Sequence, residues 1–536
     1  MAECLGVFVR VFKTVAGLRC YLELQQSGDG RESNDRTPGV GLGLVPTMGA
    51  LHAGHLSLIQ RARQENAIVV VSIFVNPLQF APTEDFQQYP RTLNQDQHLC
   101  EQAGVDVLFV PTMAELGIAS APASAMPLTQ VVPLASMMSV LCGNSRPGHF
   151  QGVATIVTKL LHLVQPNRAY FGQKDAQQVA IIQRLVTDLN VPVEIVPCRI
   201  VREPSGLALS SRNQYLTPDQ KIQAVALFAG LQQAEQAFRQ GERSQEGLVA
   251  IVQREVAGTP DLQLEYVELV HPRSLLPLAR IDEAGLLAVA ARLGTTRLID
   301  NVILRCRQPI VAIDGPAGAG KSTVTRLVAE ALGLLHLDTG AMYRAVTWLV
   351  LQAGIPLNDV VAIAELVSQC QIELSSQDHP ARAGAAQPTV MINGQDVTEA
   401  IRSQDVTAQV SAIAAQAVVR RELVKQQQSY GCRGGIVAEG RDIGTQVFPD
   451  AELKIFLTAS VQERGRRRQQ DLKDQGKPEI SLDDLEQTIY ERDRKDSTRA
   501  LSPLRQAEDA IEIQSDRLSI TQVVEQIVNL YHSKLL

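Results

Sequence analysis

The stretch PIVAIDGPAGAGKS, Pro309–Ser322, decides how the second half of this chain reads. The apolar run from Ile310 to Ile313 has the composition of a buried strand, and it passes directly into glycines. Gly315, Gly320, Lys321 and Ser322 fit G-x-x-x-x-G-K-[ST]. In that pattern backbone N–H groups cradle phosphate, the lysine reaches the β/γ oxygens and the hydroxyl serves Mg²⁺. Gly315, Pro316, Ala317, Gly318, Ala319, Gly320, Lys321, Ser322 and Thr323 are therefore the candidate nucleoside-triphosphate loop, with Lys321 as catalytic cation and Ser322 as metal ligand. A glycine turn that merely caps a helix accounts poorly for this spacing. The loop by itself specifies a nucleoside triphosphate and no acceptor.

A second nucleotide-handling segment lies far upstream, VPTMGALHAGH at Val45–His55. His52 and His55 are three residues apart with Gly54 between them, a spacing that shares one helical face. Glycine admits a ligand close to the backbone, and a helix N-terminus favours phosphate. On the two histidines alone, surface or metal-binding side chains are an equal reading. Each segment opens its own α/β pattern, which predicts two enzymes joined end to end.

Bulk composition agrees with that organisation. A length of 536 residues exceeds one core and favours about three compact units. Hydrophobic residues at 45% and charged residues at 20% describe an ordinary globular protein, and a net charge of −7 argues against a nucleic-acid surface. Eight cysteines without a C-x-x-C pair fit reduced thiols better than a disulfide or zinc framework. No apolar run is long enough to span a bilayer, and the N-terminus lacks the order of a signal peptide. The expectation is a cytosolic protein that begins with a strand and a helix.

Short β-branched runs, GVGLGLVPT, AIVVVSIFV, VDVLFVPT and VPVEIVPC, alternate with helical patterns and predict parallel strands covered on both faces. Gln25–Gly39 and Ser375–Pro388 have loop composition. From Leu216 the chain turns helical, then gives LQLEYVELV, LLAVAARLG and RLIDNVIL, a smaller α+β subdomain ending near Leu304. No Gly/Ser/Pro-rich linker marks the junction near Cys306, so the two halves are expected to lie close together.

Further groups gather around the first signature. SIFVNPLQF ends a strand with Asn76 and Gln79, neutral groups suited to hydroxyl and carboxylate. FGQKD presents Lys174 beside a glycine turn, followed by Gln177 and Gln178, and LSSRNQYL adds Ser210, Ser211 and Arg212. Singly these are ordinary loops or caps. At the ends of successive strands they occupy the crevice of an open α/β sheet.

This set resembles the pantothenate synthetases (pantoate–β-alanine ligases) of the nucleotidyltransferase superfamily, over nearly all of residues 1–305. The resemblance implies that pantoate attacks the α-phosphate of Mg-ATP, and that β-alanine then displaces AMP from pantoyl adenylate. It implies that Met48, Gly49, Ala50, Leu51, His52, Ala53, Gly54 and His55 line ATP, with His55 as proton donor. Gly172, Gln173, Lys174, Asp175, Val201, Leu209, Ser210, Ser211 and Arg212 would also contact ATP, with Lys174, Ser210 and Arg212 on its phosphates. His55, Lys174 and Arg212 are the catalytic candidates. Gln79 would bind pantoate and β-alanine, Gln178 pantoate, and Asp96 is a further candidate for the metal region. The chain departs from the family in its long Gln25–Gly39 loop and around Ala114–Ser120. A homodimer through this half is a family expectation.

Downstream of the glycine loop come HLDTGAMYRA, VAEGRDIG, TASVQERGRRR and ERDRKDSTR. Most arginines of such charge runs belong to solvated helices, but phosphoryl transfer needs several cations around the migrating group. Here residues 307–536 resemble the bacterial-type cytidylate kinases. The implied reaction is transfer from ATP to CMP or dCMP. Thr339, Tyr343, Arg344, Ser411, Arg420, Arg441 and Asp442 would line the CMP site, joined by Arg492, Asp496 and Arg499 from the lid region. The family's insert would fall at about Cys370–Ile401. The fold class expected is thus α/β throughout: a Rossmann-like nucleotidyltransferase domain (1–212) with a small α+β subdomain (213–305), then a P-loop nucleoside monophosphate kinase domain (306–536). Two rivals keep the ligase and make the C-terminal half a nucleotide sensor or a scaffold. The intact Lys321, Ser322, Arg441 and Asp442 speak against the sensor, and truncation at about Cys306 would test the scaffold.

Overall fold

The computed structural model describes residues 9–27, 41–81, 86–118, 128–375, 389–474, 480–498 and 502–535. Most of the two loops expected at Gln25–Gly39 and Ser375–Pro388 lies outside these residues, as do Ser120 and Arg499. The chain divides into two compact units, Met1–Cys306 and Arg307–Leu536.

The first unit is built on six parallel strands: β1 (Arg10–Phe12), β2 (Leu42–Thr47), β3 (Ile68–Ile73), β4 (Val107–Phe109), β5 (Arg168–Gly172) and β6 (Glu194–Cys198). Their order is β1-β4-β3-β2-β5-β6. Chain order runs one way from β2 through β3 to β4, and the other way from β5 to β6. The reversal falls between β2 and β5, where an open sheet leaves a crevice beyond its carboxyl ends. Alternate residues feed two cores: Leu44 and Val70 join one, Val45, Val69 and Val71 the other, which is why the strands read as unbroken apolar runs.

Length favoured about three units, and the contact structure gives two. The smaller sheet, β7 (Leu262–Val270), β8 (Ala284–Leu293) and β9 (Thr296–Arg305), is antiparallel. Val270, Leu286 and Ala288 of that sheet share a core with Ala176, Ala180 and Ile181 of the helix Ala176–Asp188. Parting the subdomain from the larger sheet would expose this apolar surface, so the two fold as one body.

The second unit has five parallel strands, β10 (Ile310–Asp314), β11 (Leu335–Asp338), β15 (Ile436–Gly440), β16 (Leu453–Thr458) and β17 (Ile511–Gln514), in the order β11-β15-β10-β16-β17. Between them in sequence, β12 (Ile372–Ser375), β13 (Thr389–Ile392) and β14 (Gln395–Asp396) make a small antiparallel sheet within the expected insert. β10 is central and all five of its residues are buried, which places the following glycine loop at the middle of the sheet's carboxyl edge. No helix among the described residues is long and apolar enough to cross a membrane.

Candidate active sites

In the first unit the chain leaves β2 through a turn in which Gly49 and Ala50 both have positive φ, +85° and +51°. Alanine adopts this conformation only when its surroundings impose it. Asp96, buried on the helix Leu93–Gln102, imposes it by accepting from Ala50 N at 3.0 Å and Leu51 N at 2.8 Å. Thr92 Oγ1 donates to the same carboxylate. Asp96, a candidate for the metal region, thus anchors this turn. Both of its oxygens are already engaged by N–H and O–H donors.

The turn delivers His52 to the N-cap of the helix Ala53–Glu65. His52 Nδ1 accepts from Gly54 N at 3.1 Å, and His55 Nδ1 accepts from His52 N at 3.4 Å, with ring centroids 4.1 Å apart. The pair therefore uses one nitrogen each to close the helix end and holds the rings at the cleft. Burial pushes His52 down to about 4, with Lys174 adding to it, and pushes His55 down to about 3, with His52 adding. Both imidazoles are held neutral near pH 7, and with each Nδ1 accepting, the proton of each ring sits on Nε2.

A cleft of about 940 Å³ gathers Met48, His52, Gly54, His55, Gln79, Gly172, Lys174, Asp175, Gln178, Val201, Leu209, Ser210, Ser211 and Arg212. Gly49, Ala50, Leu51 and Ala53 shape the turn instead of lining the cleft. Leu51 is buried and Ala53 exposed. Leu209 N donates to Val201 O at 2.9 Å, so these two meet across a tight return of the chain. Ser210 caps the short helix Ser211–Tyr215, accepting from Arg212 N at 3.3 Å, and Ser211 Oγ lies 3.2 Å from Tyr89 Oη. The adjacent glutamines divide their work. Both line the cleft, but Gln177 is buried and donates to Met137 O and Val140 O, both at 2.8 Å.

Sequence reasoning missed the groups that hold these segments in place. Asn301 Nδ2 on β9 donates to Gln173 O and Lys174 O, each at 3.0 Å, and so fixes the turn carrying Lys174. Asp300 beside it pairs with Arg202 through contacts of 2.6 and 2.9 Å, and Arg202 stacks on Phe228 at 4.2 Å. A buried Asp-Asn pair inside an otherwise apolar strand was the available signal. Arg146 and His149 also line the cleft, and both bond to Gln79 O.

The low imidazole pKa values make a testable statement. The pH profile of kcat/KM for ATP in the ligase reaction is expected to show no acid limb from His55 between about pH 5 and 8. A limb in that window that disappears in His55→Ala would contradict it. The sign for stability follows. The unfolded histidines bind protons below about pH 6.5 and the folded ones do not, so stability of this unit is present above that pH and falls as pH drops toward 3.

In the second unit the glycine loop owes its shape to contacts that forbid side chains. Gly315 has φ +151°, and a Cβ there would lie 1.9 Å from Leu457 O on β16. Gly318 and Gly320 also have positive φ, and Gly320 caps the helix Lys321–Leu332. Lys321 is buried, with Nζ donating to Pro316 O at 2.6 Å. Burial pushes its pKa well down, and the neighbouring Arg441 pushes it further. Ser322 Oγ donates to Glu439 Oε2 at 2.8 Å, and His336 Nε2 contacts Glu439 Oε1 at 3.2 Å. Asp314 accepts from Ile443 N and Gly444 N at 2.8 and 2.7 Å, and burial pushes its carboxyl up to about 6.

Beside this loop the expected acceptor residues are largely pre-paired. Thr339 is buried and donates to Glu439 O at 2.7 Å, and Arg344 pairs with Asp338 at 2.9 Å. Arg420 and Asp442 form a buried ion pair, with the Arg420 guanidinium 5.4 Å from the Tyr343 ring. Arg441 Nε meets Asp496 at 3.1 Å, and Arg492 stands among the charges of Arg441, Asp496 and Arg468. Ser411 lies exposed on the helix Gln404–Ala414. The arginine run at 464–468 is not uniformly solvated as its charge pattern suggests. Arg464 is buried, bidentate to Asp493 at 3.0 and 2.6 Å, and donates to Ala317 O of the glycine loop at 3.0 Å. Glu439, His336, Asp314 and Arg464 had no role assigned from the sequence.

The family model of pantoate-beta-alanine ligase matches residues 10–303, and that of cytidylate kinase matches residues 311–533. Three curated relatives carry the description bifunctional pantoate ligase/cytidylate kinase. One from Trichormus variabilis is 62% identical over 538 residues, with 98% of this chain and 99% of the relative covered. A Nostoc protein is 61% identical over 541 residues with the same coverage, and one from Trichodesmium erythraeum is 57% identical over 528 residues, covering 98% of this chain and 97% of its own. With both family models matched in tandem and relatives aligned end to end, the chain belongs to the bifunctional pantoate ligase/cytidylate kinase family: it joins pantoate to β-alanine at the expense of ATP, and it phosphorylates CMP.

Proposed function

We propose that each compact unit houses one complete and independent active site, the ligase in residues 1–305 and the kinase in 306–536. The observation that carries the ligase site is the convergence of four separated segments, around residues 48–55, 79, 172–178 and 209–212, on one cleft of about 940 Å³. Lys174 and Arg212 bring positive charge to the ATP phosphates. His55 donates an N–H to the α-phosphate oxygens as negative charge builds there. The pantoate carboxylate, oriented by Gln79 and Gln178, attacks the α-phosphorus and pyrophosphate leaves. The β-alanine amine, held beside Gln79, then attacks the acyl carbon and AMP leaves.

In the kinase, the loop N–H groups and Lys321 hold the β/γ oxygens of ATP, and the CMP phosphate enters among Arg344, Arg441 and Arg492. The pre-formed pairs of Arg344 and Arg441 with carboxylates keep those guanidiniums ordered until phosphate competes for them. The oxygen set of Ser322 and Glu439 fits a small hard cation, and these two residues would hold Mg²⁺, which supplies charge neutralisation at the β/γ oxygens. Among the described residues no cluster of three or more His, Cys, Asp or Glu side chains stands ready for a metal.

The test is to supply the full-length chain with Mg-ATP and follow AMP with pantoate and β-alanine, and ADP with CMP. Both signals are expected. AMP without ADP would recast the second unit as a sensor or scaffold. We also propose a homodimer formed through the ligase unit, in cytosolic protein; a sedimentation mass near that of one chain would contradict the dimer.

A further inference from the structure

We propose that His336 is a positioning residue for phosphoryl transfer: it pins Glu439 so that the Ser322 hydroxyl turns its oxygen lone pairs toward the metal side of ATP. β11 and β15 run parallel in the register His336↔Val437 and Asp338↔Glu439. His336 and Glu439 are therefore diagonal neighbours on one face of the sheet. Glu439 is buried, and both of its oxygens are used. Oε1 meets His336 Nε2 at 3.2 Å, and Oε2 accepts from Ser322 Oγ at 2.8 Å. Because the Ser322 proton is committed to the carboxylate, its lone pairs are left for an electron-poor partner.

Glu439 alone could rotate about its terminal torsion and exchange the roles of its two oxygens, since that torsion is broad. The imidazole removes this freedom. A purely structural reading treats His336 as a core residue of the strand. Against it, His336 Nδ1 is buried without a hydrogen-bond partner among the described residues, whereas its neighbours Leu335 and Leu337 pack as ordinary apolar residues. Burying an imidazole with one nitrogen unsatisfied is unfavourable. An apolar side chain would serve the core better, so what the histidine adds is its contact with Glu439. Groups that orient a metal's ligands have effects comparable to the ligands' own neighbours in known sites, on the order of 10–100-fold in metal affinity.

The inference rests on the proposed role of Ser322 and Glu439, and the experiment separates the two. Mn²⁺ binding to the full-length chain with ADP would be measured by electron paramagnetic resonance of the free ion. Ser322→Ala, His336→Leu and His336→Gln would be compared with the parent. Ser322→Ala tests the underlying site. If it leaves Mn²⁺ binding unchanged, that site is wrong and the inference falls with it. His336→Leu is expected to weaken Mn²⁺ binding by about 10-fold. His336→Gln, which can place an N–H near Oε1, is expected to restore most of the loss. Circular dichroism and thermal unfolding that match the parent report that the three variants are folded. Parental Mn²⁺ binding by His336→Leu, or equal weakness of the Leu and Gln variants, would overturn the proposal.

Discussion

Replacing Lys321 by alanine is expected to lower CMP phosphorylation by about 10²–10³-fold while pantothenate formation keeps its full rate. The lysine is the first helical residue after Gly320, and its ammonium group is buried beside the loop that wraps the phosphates. The protein alone accommodates that charge poorly. Burial and the nearby Arg441 both disfavour it, and Nζ donates to Pro316 O. A buried cation held in this way gains most when phosphate arrives, and more as charge builds on the transferring group. Alanine removes that gain, about 2.7–4 kcal/mol of transition-state stabilisation. The ligase cleft is built from residues of the other compact unit, so its reaction should not respond. Parallel assays of AMP and ADP release on the purified variant provide the check. A fall in both activities, in protein whose thermal unfolding matches the parent, would mean that the sites are not independent.

His55→Ala is expected to do the reverse, cutting pantothenate formation by about 10²–10³-fold with CMP phosphorylation intact. His55 serves two functions that can be told apart. Its Nδ1 closes the start of the helix by accepting from His52 N, and its other nitrogen is available to the cleft. The first function is a cap, whose loss costs about 1 kcal/mol of stability. The second acts on charge that appears only in the transition state, so it falls on kcat more than on KM for ATP. Pyrophosphate exchange with pantoate but without β-alanine isolates the adenylation step, and the deficit is expected there. An exchange rate equal to the parent's, with overall turnover reduced, would instead place His55 in the second step.

The short contiguous motifs were legible in the sequence for a physical reason: their function is written in local backbone geometry. A glycine at 315 is required because a Cβ would strike Leu457 O, and the strand-loop-helix pattern around it follows from an apolar run meeting glycines. The alternation of buried runs likewise pointed to the parallel sheet of the first unit, and the cleft beyond β2 and β5 follows from the strand order. The separation into compact units was less legible, since length counts residues and not shared cores. The small subdomain joins the first sheet through Val270, Leu286 and Ala288, which look like any other strand residues in sequence.

Only the tertiary structure decided which polar groups touch ligands and which hold the protein together. Asp96 reads as a metal candidate and anchors the Gly49–Leu51 turn. Gln177 and Gln178 are adjacent, identical in type and both line the cleft, yet the Gln177 amide N–H groups are committed to backbone carbonyls. Arg464 reads as part of a solvated charge run and is buried against Ala317 O and Asp493. His336, Glu439 and Ser322 are distant along the chain and meet because β11 and β15 pair in one register. A motif's chemistry is carried by residue type and local spacing, which one sequence displays. The partner of a carboxylate, amide or guanidinium is set by which strands and helices come within about 3 Å, and that distance exists only after the chain has folded.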